Sequence, residues 1–167
     1  ALRLLGESPL SVLKFPFWLT SGEAVLKRAL TDRLTFDPAA LPYNDELITW
    51  VRQQRSEGRR LVLCTASDQG VADAIAAHLD LFDEVLATEG ETNLKSSAKA
   101  QALVSRFGEG GFDYVGNDWP DLQVWAKAHT AHVVDASASL LSRAQAQGHV
   151  GQVFDSGLLP SWQAMLK

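Results

Sequence analysis

Residues 112–121 read Phe-Asp-Tyr-Val-Gly-Asn-Asp-Trp-Pro-Asp, and this stretch decides the fold class. The segment from Phe112 to Gly116 is mostly apolar and short, as is typical of a buried strand. Asp118 is a favourable residue to cap a helix, and Pro120 falls in the first turn, where its missing N–H costs little. The stretch therefore predicts a strand that leads directly into a helix, the repeating unit of a parallel sheet covered by helices.

The same alternation extends along the chain in both directions. Apolar runs predict further strands at 61–64, 84–87, 131–134 and 153–154, and helix starts are predicted at Asn44, Asp68, Ser96 and Ser137. This order predicts an α/β fold with a Rossmann-like parallel sheet and helices on both faces. Residues 1–42 are irregular and rich in Leu, Phe and Pro, and we interpret them as a small helical cap-like segment. We place the core at 43–150, and a strand with a tail at 151–167.

Composition excludes several classes of function. The 167 residues are 46% hydrophobic and 21% charged, which suits one soluble α/β domain with a small appendage. A net charge of -5 argues against a nucleic-acid partner, because binding to phosphate backbones needs clustered Lys and Arg. The single cysteine, Cys64, excludes an internal disulfide and indicates a reducing compartment, so we expect a cytoplasmic location.

Two sets of residues are candidates for binding an anion. Thr65 and Ser67 follow a predicted strand, and a helix start lies directly behind them, so hydroxyls and free backbone N–H groups could meet one anion. Taken alone, the segment is more simply explained by Ser67 or Asp68 serving only as a helix cap. Lys95 and Lys99 lie at another helix start, where a positive charge is unfavourable unless an anion is near. A solvated surface lysine is the alternative for either one.

Asp118 and Asp121 are candidates for binding a cation. They lie three residues apart across a strand-to-helix turn, so both carboxylates could point at one ion, and oxygen ligands suit Mg²⁺. A helix cap at Asp118 and an acidic first-turn residue at Asp121 would explain the pair equally well.

The order of these signals is more specific than any one of them. A strand followed by Thr, a Lys on a helix, and a strand followed by Gly-Asn-Asp-x-x-Asp resemble motifs two, three and four of the haloacid dehalogenase (HAD) superfamily, over about residues 44–140. The chain resembles even more closely the phosphatase-like domain fused to some UbiA-superfamily membrane prenyltransferases. That closer resemblance rests on Leu41-Pro42-Tyr43-Asn44, Cys64-Thr65-Ala66-Ser67, Asn93-Leu94-Lys95 and Asp121-Leu122-Gln123-Val124-Trp125.

The resemblance implies a HAD-type fold and hydrolysis of a phosphomonoester through an aspartyl-phosphate. It implies that Thr65 and Lys99 take catalytic roles and that a Mg²⁺ ion is bound. Asn117 stands where the family has its first acidic metal ligand, a neutral substitution that Asp118 could compensate. The implied phosphate-binding residues are Thr65, Ala66, Ser67 and Lys99, with Lys95 as a competitor, and the implied metal ligands are Asn117, Asp118 and Asp121.

The chain departs from the family at motif one, an apolar strand followed by Asp-x-Asp-x-Thr, which no segment matches. We therefore expect the nucleophile and the proton donor to be absent, and this fragment to be inactive. We also expect the central strand of the sheet to lie outside the sequence, although another segment or another copy could fill its place, or the flanking strands could close up. The alternative function is a non-catalytic binding or regulatory module, fused or adjacent to a membrane prenyltransferase at the cytoplasmic face of the inner membrane.

Overall fold

The computed structural model describes residues 10–14, 37–40, 43–88 and 96–155. Six strands form one sheet in the order β3-β2-β1-β4-β5-β6, and every neighbouring pair is parallel. The predicted Rossmann-like parallel sheet is confirmed. The strands are β1 (Leu10–Lys14), β2 (Leu61–Asp68), β3 (Glu84–Thr88), β4 (Phe112–Gly116), β5 (Thr130–Val134) and β6 (Val150–Phe154).

Helices cover both faces because successive side chains of a strand point to opposite sides. On β2, Leu61 and Leu63 pack against the helices of one face, while Val62 and Cys64 pack into the core of the other. The first face carries α1 (Asp45–Ser56) and α2 (Gln69–Leu79), and the second carries α3 (Ser96–Phe107), α4 (Leu122–Trp125) and α5 (Ala138–Gln147).

The predicted helix starts are confirmed at three caps. Asn44 caps α1, because its Oδ1 accepts from the Leu47 N–H at 3.0 Å. Ser137 caps α5, and its Oγ accepts from the Leu140 N–H at 3.2 Å. Asp118 caps a short 3₁₀ turn (Trp119–Asp121) that leads into α4. These bonds satisfy backbone donors that the first turn of a helix leaves without partners.

The expectation for the central strand was wrong. We expected it to lie outside the sequence, but β1 occupies the centre, with Val12 paired to Val62 on one side and to Tyr114 on the other. The alternative, that another segment of the chain fills this place, is confirmed. An empty slot would leave two rows of buried backbone groups without partners, which is costly, and this segment fills it. Within the predicted cap-like segment 1–42, Leu10–Lys14 is thus a strand of the core sheet and not a helix.

The rest of segment 1–42 contributes only a 3₁₀ turn, Pro38–Ala40, to the described residues. The predicted helix after Thr20 lies outside them, so the helical cap remains a prediction. At the other end, β6 includes Val150, one residue before the predicted boundary, and the tail at 156–167 also lies outside the described residues.

The predicted end of β2 differs from the structure. We expected the strand to end at Cys64 and a turn to follow, but β2 continues to Asp68, which pairs with Thr88 of β3 after a shift in register. The backbone at 65–67 is therefore extended, and α2 begins only at Gln69. Local sequence could not indicate this extension, because the pairing partner lies 20 residues further along the chain.

Candidate active site

The candidate residues gather at one edge of the sheet. In an open parallel sheet the carboxyl ends of all strands meet at the same edge, and ligands bind there. This edge carries the end of β2 with residues 65–68 and, after β4, the turn of residues 117–121. The topology therefore brings the predicted phosphate-binding and cation-binding segments to the same side of the molecule.

The Asp121 carboxylate organises the turn after β4. Asp121 is only 2% exposed. Its Oδ2 accepts from the backbone N–H groups of Asn117, at 2.9 Å, and Asp118, at 3.0 Å. Its Oδ1 accepts from the Tyr114 hydroxyl at 3.2 Å. Both carboxylate oxygens are thus used to hold the turn in shape.

Gly116 makes this arrangement sterically possible. A Cβ atom at Gly116 would lie 2.8 Å from both Cγ and Oδ2 of Asp121, closer than nonbonded atoms approach. The glycine that ends β4 is therefore required for the close approach of the carboxylate to the strand. Sequence reasoning included Gly116 in the motif but did not identify this role.

Tyr114 is a residue that sequence reasoning missed. Its side chain is fully buried, and burial, together with the nearby Asp121 and Cys64, raises the pKa of its hydroxyl well above the usual value. The hydroxyl therefore keeps its proton and can donate to Asp121. The Trp125 Nε1 donates to the Tyr114 carbonyl at 3.1 Å, which fixes α4 against β4. A tyrosine in a short strand predicted to be buried was the available signal, because a buried phenol needs a polar partner.

The predicted cation ligands do not all face the same way. Asp118 is exposed, and its Oδ1 accepts from the Trp119 N–H at 2.8 Å, whereas Asp121 points into the turn and Asn117 is half-buried. Two carboxylates and one amide form an oxygen-only donor set, which fits Mg²⁺, an ion that is usually held by one or two carboxylates together with waters and substrate phosphates. Within the described ranges, no group of three or more His, Cys, Asp or Glu side chains could hold a metal ion.

The predicted phosphate-binding residues are described only in part. Lys99 lies in the first turn of α3 and is 5% exposed, so the alternative of a solvated surface lysine is wrong for this residue. A buried lysine is uncommon and requires charged or polar partners. The backbone of Thr65, Ala66 and Ser67 lies at the carboxyl end of β2, but their side chains, and all of Lys95, lie outside the described part of the structure. Their roles remain predictions.

The end of β1 carries no acid. The strand ends at Lys14 and the sequence continues Phe-Pro-Phe-Trp-Leu, with no Asp or Glu between Leu10 and Gly22. The sequence that directly follows the central strand, as far as Gly22, thus offers no carboxylate side chain.

A second polar cluster lies at the opposite edge, near the amino end of β4. Asp113 is 5% exposed, and its Oδ2 lies 2.8 Å from Nη2 of Arg59 and 3.5 Å from Nε2 of His132. Burial alone would raise the pKa of the Asp113 carboxyl, but His132 and Arg59 outweigh it and hold that pKa below its usual value. Arg59 also donates to the side chain of Gln54 at 2.9 Å, so the cluster joins α1 to the sheet.

Comparisons with known proteins identify the fold. No protein-family model matches the sequence. The chain is 38% identical over 143 residues to the uncharacterized protein y4nM of Sinorhizobium fredii (strain NBRC 101917 / NGR234); the match covers 85% of this chain but only 27% of that protein.

Among solved structures, a HAD family hydrolase of Salmonella enterica serovar Typhi aligns with a TM-score of 0.61 at 11% identity, covering 85% of this chain and 66% of that one. The cobalt-bound deoxy-D-mannose-octulosonate 8-phosphate phosphatase of Haemophilus influenzae aligns with a TM-score of 0.54 at 16% identity, covering 85% of this chain and 76% of that one. A phosphoserine phosphatase with bound substrate aligns with a TM-score of 0.53 at 11% identity, covering 89% of this chain and 93% of that one.

The chain has the haloacid dehalogenase fold. In this HAD fold the turn of residues 117–121 and the carboxyl ends of β1 and β2 lie at the edge where an open α/β sheet binds its ligands. None of the helices in the described ranges is long and apolar enough to cross a membrane.

Proposed function

We propose that this chain is the core of a HAD-type phosphatase domain that binds small phosphomonoesters. The proposal is supported by the fold, which solved phosphatases share, and by a polar turn and a buried lysine near the ligand-binding edge of the sheet. In it, Thr65, Ala66, Ser67 and Lys99 contact the phosphate, with Lys95 as the competitor for the lysine role. Asn117, Asp118 and Asp121 would hold a Mg²⁺ ion, which would supply positive charge against the phosphate oxygens.

Hydrolysis in such a domain needs a carboxylate that attacks phosphorus, displaces the alcohol and is then released by water. The single observation that bears most on activity is the acid-free end of β1, from Lys14 onward. This observation supports the proposal that the domain binds phosphate esters but forms no aspartyl-phosphate with residues of this stretch of sequence.

Two measurements test the proposal. With Mg²⁺ and p-nitrophenyl phosphate, we expect no turnover above background. Activity that Asp121→Asn abolishes would show that another group replaces the missing nucleophile. Inorganic phosphate should raise the melting temperature, because a ligand that binds only the folded state stabilises it.

Variants locate the phosphate. The thermal shift with phosphate should be reduced in Thr65→Val and in Lys99→Met. Lys127→Met is the matched control, because Lys127 is an exposed lysine whose Nζ lies 3.3 Å from Glu109 at the surface. Identical shifts in all four proteins would contradict phosphate binding at Thr65 and Lys99.

A second candidate is a regulatory module of a longer protein, fused or adjacent to a membrane prenyltransferase. One observation favours it: the chain spans 27% of y4nM, so its homologous region there is part of a much larger protein. In this case the domain would work at the cytoplasmic face of the inner membrane. Expression of the complete gene product tests it, because membrane association together with no binding of inorganic phosphate would favour the regulatory module over a domain that binds phosphomonoesters.

A further inference from the structure

The side chain of His132 joins β5 to the edge strand β6. Between Ala131 and Val133 the register of the two strands shifts, because residues 150–153 of β6 pair with this interval and contain one residue more. Such a bulge leaves a backbone group outside the ladder of hydrogen bonds. Here the Gln152 N–H donates to Nδ1 of His132 at 2.8 Å. A side chain thus supplies the acceptor that the neighbouring backbone does not.

Gly151 gives the imidazole ring the space that this contact needs. A Cβ atom at Gly151 would lie 2.6 Å from Cε1 and 2.8 Å from Nδ1 of His132, closer than nonbonded atoms approach. His132 is 6% exposed, and its ring lies against the Trp50 ring of α1, with the two centroids 4.8 Å apart. The imidazole is therefore packed between α1 and β6, with Nδ1 directed at the backbone of β6.

The contact with Gln152 determines where His132 carries its proton. A ring nitrogen that accepts a hydrogen bond carries no proton, so the ring is neutral and its single proton is on Nε2. Nε2 lies 3.5 Å from Oδ2 of Asp113, so that proton faces a carboxylate. A second proton would have to enter at Nδ1, where it would face the Gln152 N–H, a donor against a donor. Protonation of His132 and its bond to β6 therefore exclude each other.

The charged groups around the ring do not compensate for a second proton. Asp113 on β4 faces Nε2, but its Oδ2 lies 2.8 Å from Nη2 of Arg59, so the guanidinium already offsets that negative charge. His129 lies 3.5 Å from the other oxygen of Asp113. Trp50 and the buried residues of α1 are uncharged, and so are residues 150–154 of β6. Burial disfavours the charged form of an imidazole, so the attached strand goes with the neutral ring.

We propose that His132 makes the attachment of β6 sensitive to pH: the neutral imidazole holds β6 on the sheet, and protonation at Nδ1 releases it. Among the described residues β6 pairs only with β5, at one edge of the sheet, so it can separate while the other strands stay paired. Its release would uncover Phe154, which is 3% exposed and packs against Trp50. This inference goes beyond the proposed function and does not depend on it.

The direction and the size of the effect follow from proton binding. An imidazole exposed to water has a pKa near 6.5, so the released strand takes up a proton at pH 5.0 that the attached strand excludes. Acid therefore favours release, and the population of the released form should rise by at most about 30-fold between pH 7.5 and pH 5.0. Asp113 does not contribute in this range, because an unfolded aspartate titrates near pH 4 and the pKa of Asp113 in the folded state is lower still.

Hydrogen exchange followed by NMR reports the population of the released form. The Ala131 N–H donates to the His149 carbonyl and the Asp135 N–H donates to the Phe154 carbonyl, so both amides exchange when β6 separates. After correction for the intrinsic effect of pH on exchange, their protection should fall by about tenfold to 30-fold from pH 7.5 to pH 5.0. Amides of β2, on the other side of the sheet, are the reference and should keep their protection.

Two asparagine variants separate His132 from the other histidines. In His132→Asn the amide oxygen can accept from the Gln152 N–H but takes up no proton in this pH range, so the protection of the same two amides should not depend on pH. His129→Asn is the matched control, because His129 is a nearby histidine whose side chain is 59% exposed. Its amides should lose protection at pH 5.0 as the wild type does.

Three results would overturn the inference: unchanged protection of the wild type at pH 5.0, the same loss in His132→Asn as in the wild type, or an equal loss in β2, which would mean that the whole domain opens. If His132→Asn does not fold, nitrogen NMR of the His132 ring in the wild type decides. A protonated Nδ1 at pH 7.5, or a charged ring at pH 5.0 while the amides stay protected, would contradict the inference. An Nδ1 that takes up its proton as protection is lost would support it.

Discussion

Replacing Asp121 by alanine should destabilise the fold itself, in addition to any effect on ligand binding. The change removes three hydrogen bonds to one carboxylate, two from backbone N–H groups and one from the Tyr114 hydroxyl. Hydrogen bonds to a charged group contribute roughly 1.5–3 kcal/mol each, but they are not additive, and water can replace part of the loss at the backbone. Water cannot reach the Tyr114 hydroxyl as easily, because this side chain is fully buried. We expect a loss of about 3–5 kcal/mol in the free energy of unfolding.

Asp121→Asn is the informative comparison. Its amide oxygen can accept from the same two backbone N–H groups, and its NH₂ can donate to the Tyr114 oxygen once that hydroxyl rotates. We expect a loss of only about 1–2 kcal/mol, because the bonds persist without the charge. Asp118→Ala, at an exposed cap, should cost about 1 kcal/mol.

Urea unfolding at pH 7, followed by circular dichroism, gives the free energy of unfolding for each variant. The comparison is valid where the dependence on urea concentration has the same slope as in the wild type. Two results would refute this account: Asp121→Ala within 1 kcal/mol of the wild type, or Asp121→Asn as unstable as Asp121→Ala. Either would mean that the bonds to Asp121 do not hold the turn.

Two further predictions concern β4. Gly116→Ala should lower the free energy of unfolding by about 1–3 kcal/mol, because the new methyl group displaces the Asp121 carboxylate; thermal melting that matches the wild type would contradict this. Asp113→Asn should lower the free energy of unfolding by about 3 kcal/mol at pH 7, since it leaves the largely buried guanidinium of Arg59 without its carboxylate partner. The pKa of Asp113 is lowered in the folded state, so its contribution to stability is present above the pKa of the unfolded state, near 4, and is lost as the pH falls through the pKa of the folded state. The free energies of unfolding of the wild type and Asp113→Asn should therefore converge below about pH 4. A constant difference between them down to about pH 2 would contradict this role of Asp113.

Much of the fold could be predicted because its signals are local. Short apolar runs and helix caps can be recognised from a few neighbouring residues, and the structure confirms the caps at Asn44 and Ser137. Strand β1 could not be predicted in the same way. Its five residues lie in a region rich in Leu, Phe and Pro, and its status as a strand depends on pairing with β2 and β4, about 50 and 100 residues further along the chain.

In the candidate site, too, the features that depend on neighbouring residues could be predicted, and those that depend on distant contacts could not. The sequence indicated that Asp118 caps a helix and that Asp121 is a first-turn acid, and both cap bonds are present. It could not indicate the direction of the Asp121 carboxylate, because that direction depends on the Tyr114 hydroxyl and on the space above Gly116. Both become neighbours of the carboxylate only when the strand and the turn have formed.

The geometry of the turn at residues 117–121 shows why this motif can be present whether or not the chain hydrolyses phosphate esters. Asp121 holds the turn, and Gly116 provides the space for it, so both residues have a role in folding that needs no substrate. The end of β1 is different, because backbone pairing with β2 and β4 defines a parallel strand whether or not a carboxylate follows it. A chain can therefore keep the Gly-Asn-Asp-x-x-Asp turn for stability while no Asp or Glu follows the central strand directly after Lys14. It follows that the turn indicates the HAD fold, and that only a carboxylate beside it in the assembled site would indicate hydrolysis.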